Sequence, residues 1–485
     1  MLSNKEIIEI INKIETQNIV NEIVRNDVYL WPLLRLSLAN SLRETNNKKS
    51  LPGIVLFFRV LRDVLNNLKL AARPANGKKK ILICGPAHHK NQIYDEKYYS
   101  KHQDGLVEFL KEKYDIDCWE LDSQDIAEKR HLECKRLSAI YIYCKIKAVL
   151  AFLFMNRGNE YNQIKAQIKE IALYIPDIKL RNSFLKLNHA LLIETFFNLT
   201  DYYAKIIEKQ NYNAVIIIAF YHLTAMSIIH ACKKIGVKTI EFQHGAQNNY
   251  HTMYTHWENI PRGGYQLLPD YFWVWGEASK RRIDKWSKNT ACHNAFVGGS
   301  IWHGYASNVF IHEKSEWTHY LNEIDKYEKR ILLSLQAWPV YFNKKILRVI
   351  EESPKEWAWL VRPHPLHPIN FNDAERCFSK NNYNCSIDYV MPKTIPLELL
   401  FPHIDVHLTG FSTVAFEAAL YDVPTIFFHE NALDGYDDLI DNKIFYYSKD
   451  DKDIFNLICN MRVNRAGDIK YIDRINKDLI CKILS

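Results

Sequence analysis

The chain has 485 residues, of which 47% are hydrophobic and 25% charged, so it is long enough for two or three ordinary globular domains. Its formal net charge is +7, and no compact stripe of lysine and arginine interleaved with aromatic residues is present, which argues against a nucleic-acid-binding protein. The ten cysteines are scattered without a CxxC pair, so we expect reduced thiols in a cytoplasmic protein that requires no metal.

The first 77 residues are predicted to form a helical extension. Residues 3–24 and 27–44 have apolar positions at helical spacing, a third helix is predicted over 52–72, and a turn-rich linker covers 73–80. The N-terminus has an acidic, periodic pattern and lacks the basic-then-apolar pattern of a signal peptide.

Strands and helices alternate from residue 78 to residue 268. The segments 78–89 and 114–122 each contain a strand, 124–210 has helical periodicity, and 213–245 has a strand–helix–strand pattern. Such a βαβ unit implies parallel strands, so we expect an α/β domain over 78–268.

A second α/β domain with a helical tail is predicted over 269–485. Its strands are expected in six short apolar segments, at 270–276, 295–299, 329–336, 357–365, 405–410 and 423–428. The boundary between the two α/β domains is therefore placed at 268/269.

Two stretches are apolar enough to suggest contact with a membrane. The segment 51–61, LPGIVLFFRVL, is too short to span a bilayer, and we predict a core helix there. The segment 139–155, AIYIYCKIKAVLAFLFM, is interrupted by Lys145 and Lys147. It falls short of the ~18 apolar residues that a membrane-spanning helix needs. We predict a core helix here and keep a peripheral membrane contact as an alternative.

Polar residues gather in three loops of the second domain, each directly after a predicted strand. Open α/β sheets bind their ligands at such strand ends. The candidate residues for substrate binding in these loops are Gln336, Arg362, His364, Gly410, Ser412, Thr413 and Glu417.

These residue types suit a phosphate and a sugar or ribose. Arg362 offers a permanent charge and a planar fork for phosphate, and His364, held between two prolines, could bind or protonate a leaving phosphate. Ser412 and Thr413 are placed to cap the following helix, whose free N–H groups would bind an anion. Glu417, one turn further on, could accept a hydrogen bond from a hydroxyl. An equally good interpretation of this stretch is an ordinary cap, formed by Ser412 and Thr413, before a core helix.

Two loops of the first α/β domain carry candidates for general-base and substrate-binding roles. These candidates are Gly85, His88 and Asp104 in the loop after the first strand, and Gln243 and His244 in EFQHGAQ. A general base here would activate a hydroxyl. Asp104 also suits a cap for a helix that begins at Gly105. The run 246–269, rich in Tyr, His and Asn, is interpreted as a substrate-facing or mobile loop.

Motifs of several other enzyme classes are absent. The chain has no GxxxxGK[ST], GxGxxG, GxSxG or HExxH sequence, which disfavours P-loop NTPases, dinucleotide enzymes, α/β-hydrolases and zinc metalloproteases.

Four segments within roughly residues 80–450 resemble bacterial glycosyltransferases of the GT-B fold that build capsules and O-antigens. They are EFQHGAQ, PDYFWVWGE, LVRPHPLHP and GFSTVAFEAALYDVPTI. The resemblance implies two Rossmann-like domains facing across a cleft, with the nucleotide-sugar donor held mainly by the C-terminal one. The HP motif followed by a Ser/Thr motif is similar to that of transferases with cytidine-activated donors, such as Kdo and sialic acid transferases. It implies that His364 contacts the donor phosphate and that Ser412 and Thr413 contact the phosphate or ribose.

The resemblance thus implies a metal-independent, cytoplasmic glycosyltransferase at the inner face of the membrane. It would move a sugar, here CMP-linked Kdo or another nonulosonate, to a glycan or lipid-linked acceptor, with Asp104 and His244 as candidate catalytic residues. The nucleotide sugar is a co-substrate, and no cofactor is expected. The alternatives are a transferase that uses a UDP- or GDP-hexose, an enzyme like the nucleotide-sugar 2-epimerases, and a non-catalytic protein of polysaccharide assembly.

Overall fold

The chain divides into two compact units, which are Met1–Ala306 with Asp473–Ser485, and Ser307–Ile472. The computed structural model describes residues 2–43, 61–64, 67, 77–87, 90–94, 97–121, 130–154, 159–245, 247–312, 314–336, 344–364, 378, 383–436, 439–440, 445–461 and 472–485.

The helices of the described residues are, in chain order, α1 (Asn4–Glu15), α2 (Ile19–Glu22), α3 (Trp31–Leu42), α4 (Gln103–Leu110), α5 (Ser138–Phe154), α6 (Asn159–Leu173), α7 (Ile178–Lys186), α8 (His189–Gln210), α9 (Leu223–Ile235), α10 (Glu277–Ser287), α11 (Ser307–Phe310), α12 (Ser315–Ile324), α13 (Lys344–Glu351), α14 (Met391–Thr394), α15 (Leu397–Leu400), α16 (Val414–Ala419), α17 (Asn431–Tyr436), α18 (Asp451–Asn460) and α19 (Lys477–Leu484). A π-helical turn lies at Trp302–Ala306 and a 3₁₀ turn at Phe401–His403. Within the described residues, no helix combines the length and the apolar character needed to cross a membrane.

The strands are β1 (Val24–Arg25), β2 (Val28–Tyr29), β3 (Lys80–Gly85), β4 (Lys90–Tyr94), β5 (Lys97–Ser100), β6 (Asp115–Glu120), β7 (Lys135–Arg136), β8 (Ala214–Ile218), β9 (Lys238–Phe242), β10 (Tyr271–Val274), β11 (Asn294–Val297), β12 (Lys329–Ser334), β13 (Trp357–Arg362), β14 (Ser386–Asp388), β15 (Val406–Thr409), β16 (Thr425–Phe427) and β17 (Phe445–Tyr447).

The first unit is built on a seven-stranded parallel sheet with the order β7-β6-β3-β8-β9-β10-β11. Its central strand β8, with the sequence AVIII, is buried along its whole length, as expected for a strand covered on both faces. Helix α9 ends at Ile235 and is capped by Gly236, whose φ of +75° favours glycine, and β9 follows at Lys238. The strand order reverses between β3 and β8, which is the Rossmann-like pattern.

The second unit has a six-stranded parallel sheet with the order β14-β13-β12-β15-β16-β17. The apolar run WAWLVR forms β13, and all of it except Arg362 is buried. The order reverses between β12 and β15, so this unit is also Rossmann-like. The predicted fold class, two Rossmann-like α/β domains, is therefore confirmed.

The division between the units differs from the predicted boundary at 268/269. Strands β10 and β11 were expected in the second domain, but β10 pairs in parallel with β9 and β11 pairs with β10, in the first sheet. The C-terminal helix α19 also belongs to the first unit, where the Lys238 ammonium donates to the Ile483 carbonyl at 2.6 Å. The hydrogen-bonded pairing of the strands sets the division near residue 306. A boundary chosen from changes in the sequence pattern does not detect this pairing.

The predicted helical extension forms helices α1 and α3, but it is not a separate domain. Ile7, Ile11, Trp31 and Leu38 share one hydrophobic core with the first sheet and its helices. The third predicted helix, over 52–72, lies largely outside the described residues.

Candidate functional site

The carboxyl edge of the second sheet brings the predicted donor-site loops together. The register places Arg362, Ser334, Thr409 and Phe427 in one row across β13, β12, β15 and β16. Adjacent strands are about 4.8 Å apart, so the row spans roughly 15 Å. The predicted residues that follow this row in the loops are Gln336, His364, Gly410, Ser412 and Thr413. The row crosses the topological switch point, where such sheets bind ligands.

Gln336 bridges the two strands at the switch point. Its side-chain amide donates to Thr409 Oγ1 at 3.2 Å, and that hydroxyl donates to the Ser334 carbonyl at 3.0 Å. Gln336 is almost fully buried. Its amide therefore fixes the spacing between β12 and β15, and direct binding of a substrate by Gln336 stays a prediction.

A buried histidine that the sequence did not single out lies beneath this edge. His407 Nε2 is 3.0 Å from Ser334 Oγ, and Nδ1 is 2.9 Å from Thr425 Oγ1, so one imidazole joins β12, β15 and β16. Burial lowers the pKa of His407 to about 3, against the opposing effect of Glu417. His407 is thus neutral, with one ring nitrogen donating and the other accepting.

Arg362 makes contacts that differ from its predicted role. Its Nη1 donates to the carbonyls of Pro392 and Ile395, the latter at 2.6 Å, and so holds helix α14 beside β13. Burial lowers the pKa of the guanidinium, while the nearby carboxylates of Glu417 and Glu398 act in the opposite direction. Arg362 therefore has a clear structural role, and phosphate binding by its other N–H groups stays a prediction.

The loop after β15 forms a short cap for helix α16. Ser412 Oγ accepts from the Val414 N–H at 3.3 Å, whereas Thr413 makes no side-chain cap within the described residues. Thr413 is exposed, and Glu417 lies in the first turn, as predicted. Because α16 has only six residues, its dipole is short, and the expected anion site at its start is weaker than in a full-length helix.

The carboxyl edge of the first sheet carries the other candidates. Gly85 ends β3, and a Cβ atom built on it would lie 3.1 Å from Ile218 Cδ1 and 3.3 Å from Gln103 Oε1. The glycine therefore allows close packing of α4 on β3, where a larger side chain would displace Ile218 or Gln103 by a few tenths of an ångström. The predicted residue His88 lies outside the described residues.

Asp104 lies inside helix α4 and is not its N-cap, which corrects the predicted capping role. Helix α4 begins at Gln103, two residues before the predicted start, and the Asp104 carboxylate accepts from the Ser100 N–H at 2.9 Å. The Ser100 hydroxyl accepts in turn from the Gln103 N–H at 3.1 Å. This reciprocal pattern satisfies N–H groups that the helix start would otherwise leave open. Asp104 is 2% exposed, which is little access for a general base.

The side chain of Gln243 is also hydrogen-bonded to the backbone. Its amide nitrogen donates to the Gly245 carbonyl at 2.9 Å, and its amide oxygen accepts from the Trp275 N–H at 2.8 Å. Gln243 thus holds the loop after β9 against the end of β10. The expectation that its side chain points toward a ligand finds no support in these contacts.

His244 lies in a cluster of buried polar side chains. Its Nε2 is 3.1 Å from the Tyr221 hydroxyl, and its Nδ1 is 3.9 Å from Glu241 Oε1, just beyond hydrogen-bond length. The Tyr254 hydroxyl donates to the same carboxyl oxygen. The Glu241 side chain is fully buried, whereas 15% of the His244 side chain is exposed. His244 and Tyr221 are therefore partly open to solvent, whereas Glu241 and Tyr254 are buried.

Glu241 is the functional candidate that the sequence analysis missed. It lies between Ile240 and Phe242 in a buried strand, and its Oε2 has no hydrogen-bond partner among the described residues. Burial raises the pKa of the Glu241 carboxyl to about 8, against the opposing effect of the Tyr254 hydroxyl. The carboxyl is thus mostly protonated at neutral pH. A perturbed carboxyl beside a partly exposed histidine is typical of functional sites.

Replacing Glu241 by glutamine is expected to make the protein progressively more stable than the wild type as the pH rises. The unfolded chain loses this proton near pH 4.5, whereas the folded chain keeps it up to about pH 8. Because only the folded state holds the proton in this window, wild-type stability falls there by about 1.4 kcal/mol per pH unit, on the order of 4 kcal/mol in total. Glutamine keeps the shape and does not titrate.

Urea denaturation of both proteins at about pH 5 and about pH 8 measures this difference. The other titrating groups are the same in both proteins, so their contributions cancel in the difference between the two free energies of unfolding. A free-energy difference that is the same at both pH values would contradict the assigned state of Glu241.

The N-terminal helices hold the segment that completes this cluster. Arg35 on α3 donates to three carbonyls, from Nε to Thr252 at 2.7 Å, from Nη2 to Thr255 at 2.8 Å and from Nη1 to His256 at 3.0 Å. Its Nη1 also forms a fully buried ion pair with Glu15.

The anchored segment carries Tyr254, which binds Glu241. Met253, Tyr254 and Trp257 are buried, and the Arg35 guanidinium lies 4.0 Å from the Trp257 ring centroid. This part of the run 246–269 is therefore fixed, which corrects its interpretation as a mobile loop.

Comparisons with known proteins add only distant likenesses. The chain matches no protein-family model, and no curated protein matches it in sequence. A UDP-GlcNAc 2-epimerase from Methanocaldococcus jannaschii is 12% identical, with 84% of this chain and 99% of that chain covered and a TM-score of 0.48. S. aureus MnaA in a structure with UDP is 11% identical, with 83% and 95% covered and a TM-score of 0.46.

A UDP-glucosyltransferase from Polygonum tinctorium is 11% identical, with 76% of this chain and 84% of that chain covered and a TM-score of 0.39. With TM-scores below 0.5, these likenesses carry no argument about the activity or ligands of this chain. The functional question rests on the site itself.

Proposed function

We propose that this chain is a glycosyltransferase that moves a sugar from a nucleotide-activated donor to an acceptor hydroxyl. The observation that carries the proposal is the row of strand ends at the switch point of the second sheet. Arg362 belongs to this row, and the loops and the helix that follow it carry a histidine, two hydroxyls and a carboxylate. Such groups bind phosphate and sugar hydroxyls.

In this proposal the donor's nucleotide binds along the carboxyl edge of the second sheet. His364 and the N–H groups near Ser412 and Thr413 receive the leaving phosphate, and Glu417 accepts from a ribose or sugar hydroxyl. These groups stabilise the charge that develops as the bond from the sugar to the phosphate breaks. The expectation that no metal is required is tested by measuring transfer with and without EDTA.

The acceptor is activated in the first unit by His244. As the acceptor oxygen bonds to the sugar, its proton passes to the imidazole, and the nucleotide leaves with the electrons of the broken bond. At neutral pH the mostly protonated Glu241 places little negative charge beside the imidazole, which must be neutral to accept a proton.

The finer assignment is a CMP-linked Kdo or another nonulosonate as donor, and a glycan or lipid-linked glycan as acceptor. It is supported by the HP motif at His364 and the Ser/Thr motif at Ser412 and Thr413, in the order seen in transferases with cytidine-activated donors. A UDP- or GDP-hexose is the alternative donor.

A thermal-shift series with CMP, CDP, UDP and GDP tests the proposal. A nucleotide at one hundred times its dissociation constant stabilises by about 2.7 kcal/mol, which corresponds to a rise of roughly 5–10 °C for a unit of this size. A rise with CMP or CDP supports a cytidine donor, and a rise with UDP or GDP replaces it with the alternative. If none of the four raises the melting temperature, the proposal is wrong.

A further inference from the structure

Helix α5 presents an apolar stripe to solvent. Tyr143, Ile146, Val149 and Leu150 are 59%, 54%, 37% and 49% exposed. Their spacings of three, four and seven residues place them on one side of the helix. This finding differs from the predicted core helix, because only part of the helix surface is buried.

The opposite side of α5 is fixed to the first unit. Cys144 and Ala148 are buried, and Cys144 Sγ lies 3.5 Å from the Asn198 carbonyl of helix α8. The Asn198 amide donates to the Cys144 carbonyl at 3.5 Å. The helix therefore lies flat along the unit with its stripe facing outward.

Two lysines border the stripe, one on each side. Lys145 is four residues before Val149, and Lys147 is four residues after Tyr143, so helical geometry places them along opposite edges. Both are exposed, and α5 contains no acidic residue. The Lys145 ammonium lies 5.9 Å from the Tyr141 ring centroid, and a lysine at such an edge keeps its charge outside the apolar stripe.

A tyrosine from the neighbouring helix extends the same surface. Tyr202 of α8 is 36% exposed, and its ring centroid is 6.3 Å from that of Tyr143. Tyrosine has an apolar ring with a polar end, which suits the boundary between lipid headgroups and acyl chains.

We propose that this face of α5 docks on the surface of an anionic lipid bilayer, with the helix lying in the plane of the interface. An apolar stripe edged by lysines matches acyl chains below and phosphate groups at the sides. A second copy of the chain fits less well, because a symmetric contact would bring together two α5 helices that each carry lysines and no acidic residue. A bilayer supplies the missing negative charge.

Sedimentation with vesicles tests the proposal. The full chain is expected to bind vesicles of phosphatidylcholine with phosphatidylglycerol more tightly than vesicles of phosphatidylcholine alone, and added salt should weaken this binding. Ile146→Ser/Leu150→Ser should lower the partition coefficient by about tenfold or more. Lys145→Gln/Lys147→Gln should lower it by about tenfold on anionic vesicles and leave the weak binding to neutral vesicles unchanged.

Leu433→Ser is the matched control, because Leu433 is 41% exposed and lies in the second unit. It should bind vesicles as the wild type does. Circular dichroism and melting temperature verify that each variant folds, as expected for substitutions at exposed positions. Wild-type protein that does not sediment with anionic vesicles would overturn the proposal. A wild-type dimer by light scattering that Ile146→Ser/Leu150→Ser converts to a monomer, without vesicle binding, would assign the stripe to a second copy instead.

This inference goes beyond the proposed transferase activity and does not rest on it. Vesicle binding is measured without donor or acceptor, so the two proposals fail separately. If both hold, docking through α5 would bring the enzyme to acceptors that are carried on lipid.

Discussion

Arg35→Met is expected to lower the free energy of unfolding of the first unit by about 3–5 kcal/mol. The substitution leaves the buried Glu15 carboxylate without its ion-pair partner and removes the donors to the Thr252, Thr255 and His256 carbonyls. Uncompensated buried charge is among the costliest defects that one substitution makes. Urea denaturation followed by circular dichroism measures the change.

The companion variants show whether the ion pair is the cause. Arg281→Met makes the same substitution at an exposed arginine of the same unit and should change stability by no more than about 0.5 kcal/mol. Glu15→Gln/Arg35→Met should be less destabilised than the sum of its two single variants, because each single variant leaves one charge buried alone. Additive effects in this cycle would contradict the assigned coupling.

His244→Asn is expected to reduce the rate of sugar transfer by about 10²- to 10⁴-fold, the usual contribution of a general base. Asparagine keeps a polar side chain but cannot take up a proton in this pH range. Because the donor is proposed to bind at the second sheet, the dissociation constant for the nucleotide should stay unchanged. Steady-state kinetics together with nucleotide titration measure both quantities.

His256→Asn is the matched control for this variant. His256 lies in the same unit, in the segment held by Arg35, and its φ of +54° is one that asparagine tolerates. Its transfer rate should stay close to that of the wild type. Equal loss of rate in both variants would assign the His244 effect to local folding, and full activity of His244→Asn would remove His244 from the mechanism.

Much of the fold follows from local sequence pattern. Apolar runs such as those of β8 and β13 are strands because β-branched and aromatic residues buried on both faces suit a parallel sheet. The sequence does not reveal which sheet a strand joins. Strand β10 was assigned to the wrong domain for that reason, since its pairing with β9 is a long-range choice. Strands β14, β16 and β17 have three residues each, and only β16 was predicted, because it lies in the longer apolar run 423–428.

The sequence predicted where the candidate site lies better than it predicted what each of its side chains contacts. The rule that ligands bind at strand ends found both edges, because it depends on topology alone. The type of a polar residue does not reveal which group its side chain hydrogen-bonds to. Asp104, Gln243 and Arg362 all have donors or acceptors suited to a substrate, yet their observed contacts are with backbone groups. The one sequence signal of Glu241 is an acid between two apolar residues, Ile240 and Phe242, of a predicted strand.

A nucleotide is proposed to bind at the carboxyl edge of the second sheet. Calorimetric titration of the best-stabilising nucleotide into wild type, His364→Ala and His403→Ala tests it directly. His403 precedes β15 at the opposite edge of the same sheet, where its Nδ1 lies 2.9 Å from the exposed Asp325 carboxylate. Loss of a hydrogen bond to a charged phosphate should weaken binding to His364→Ala by about 10- to 100-fold, whereas His403→Ala should bind as the wild type does. Unchanged affinity of His364→Ala would contradict the claim.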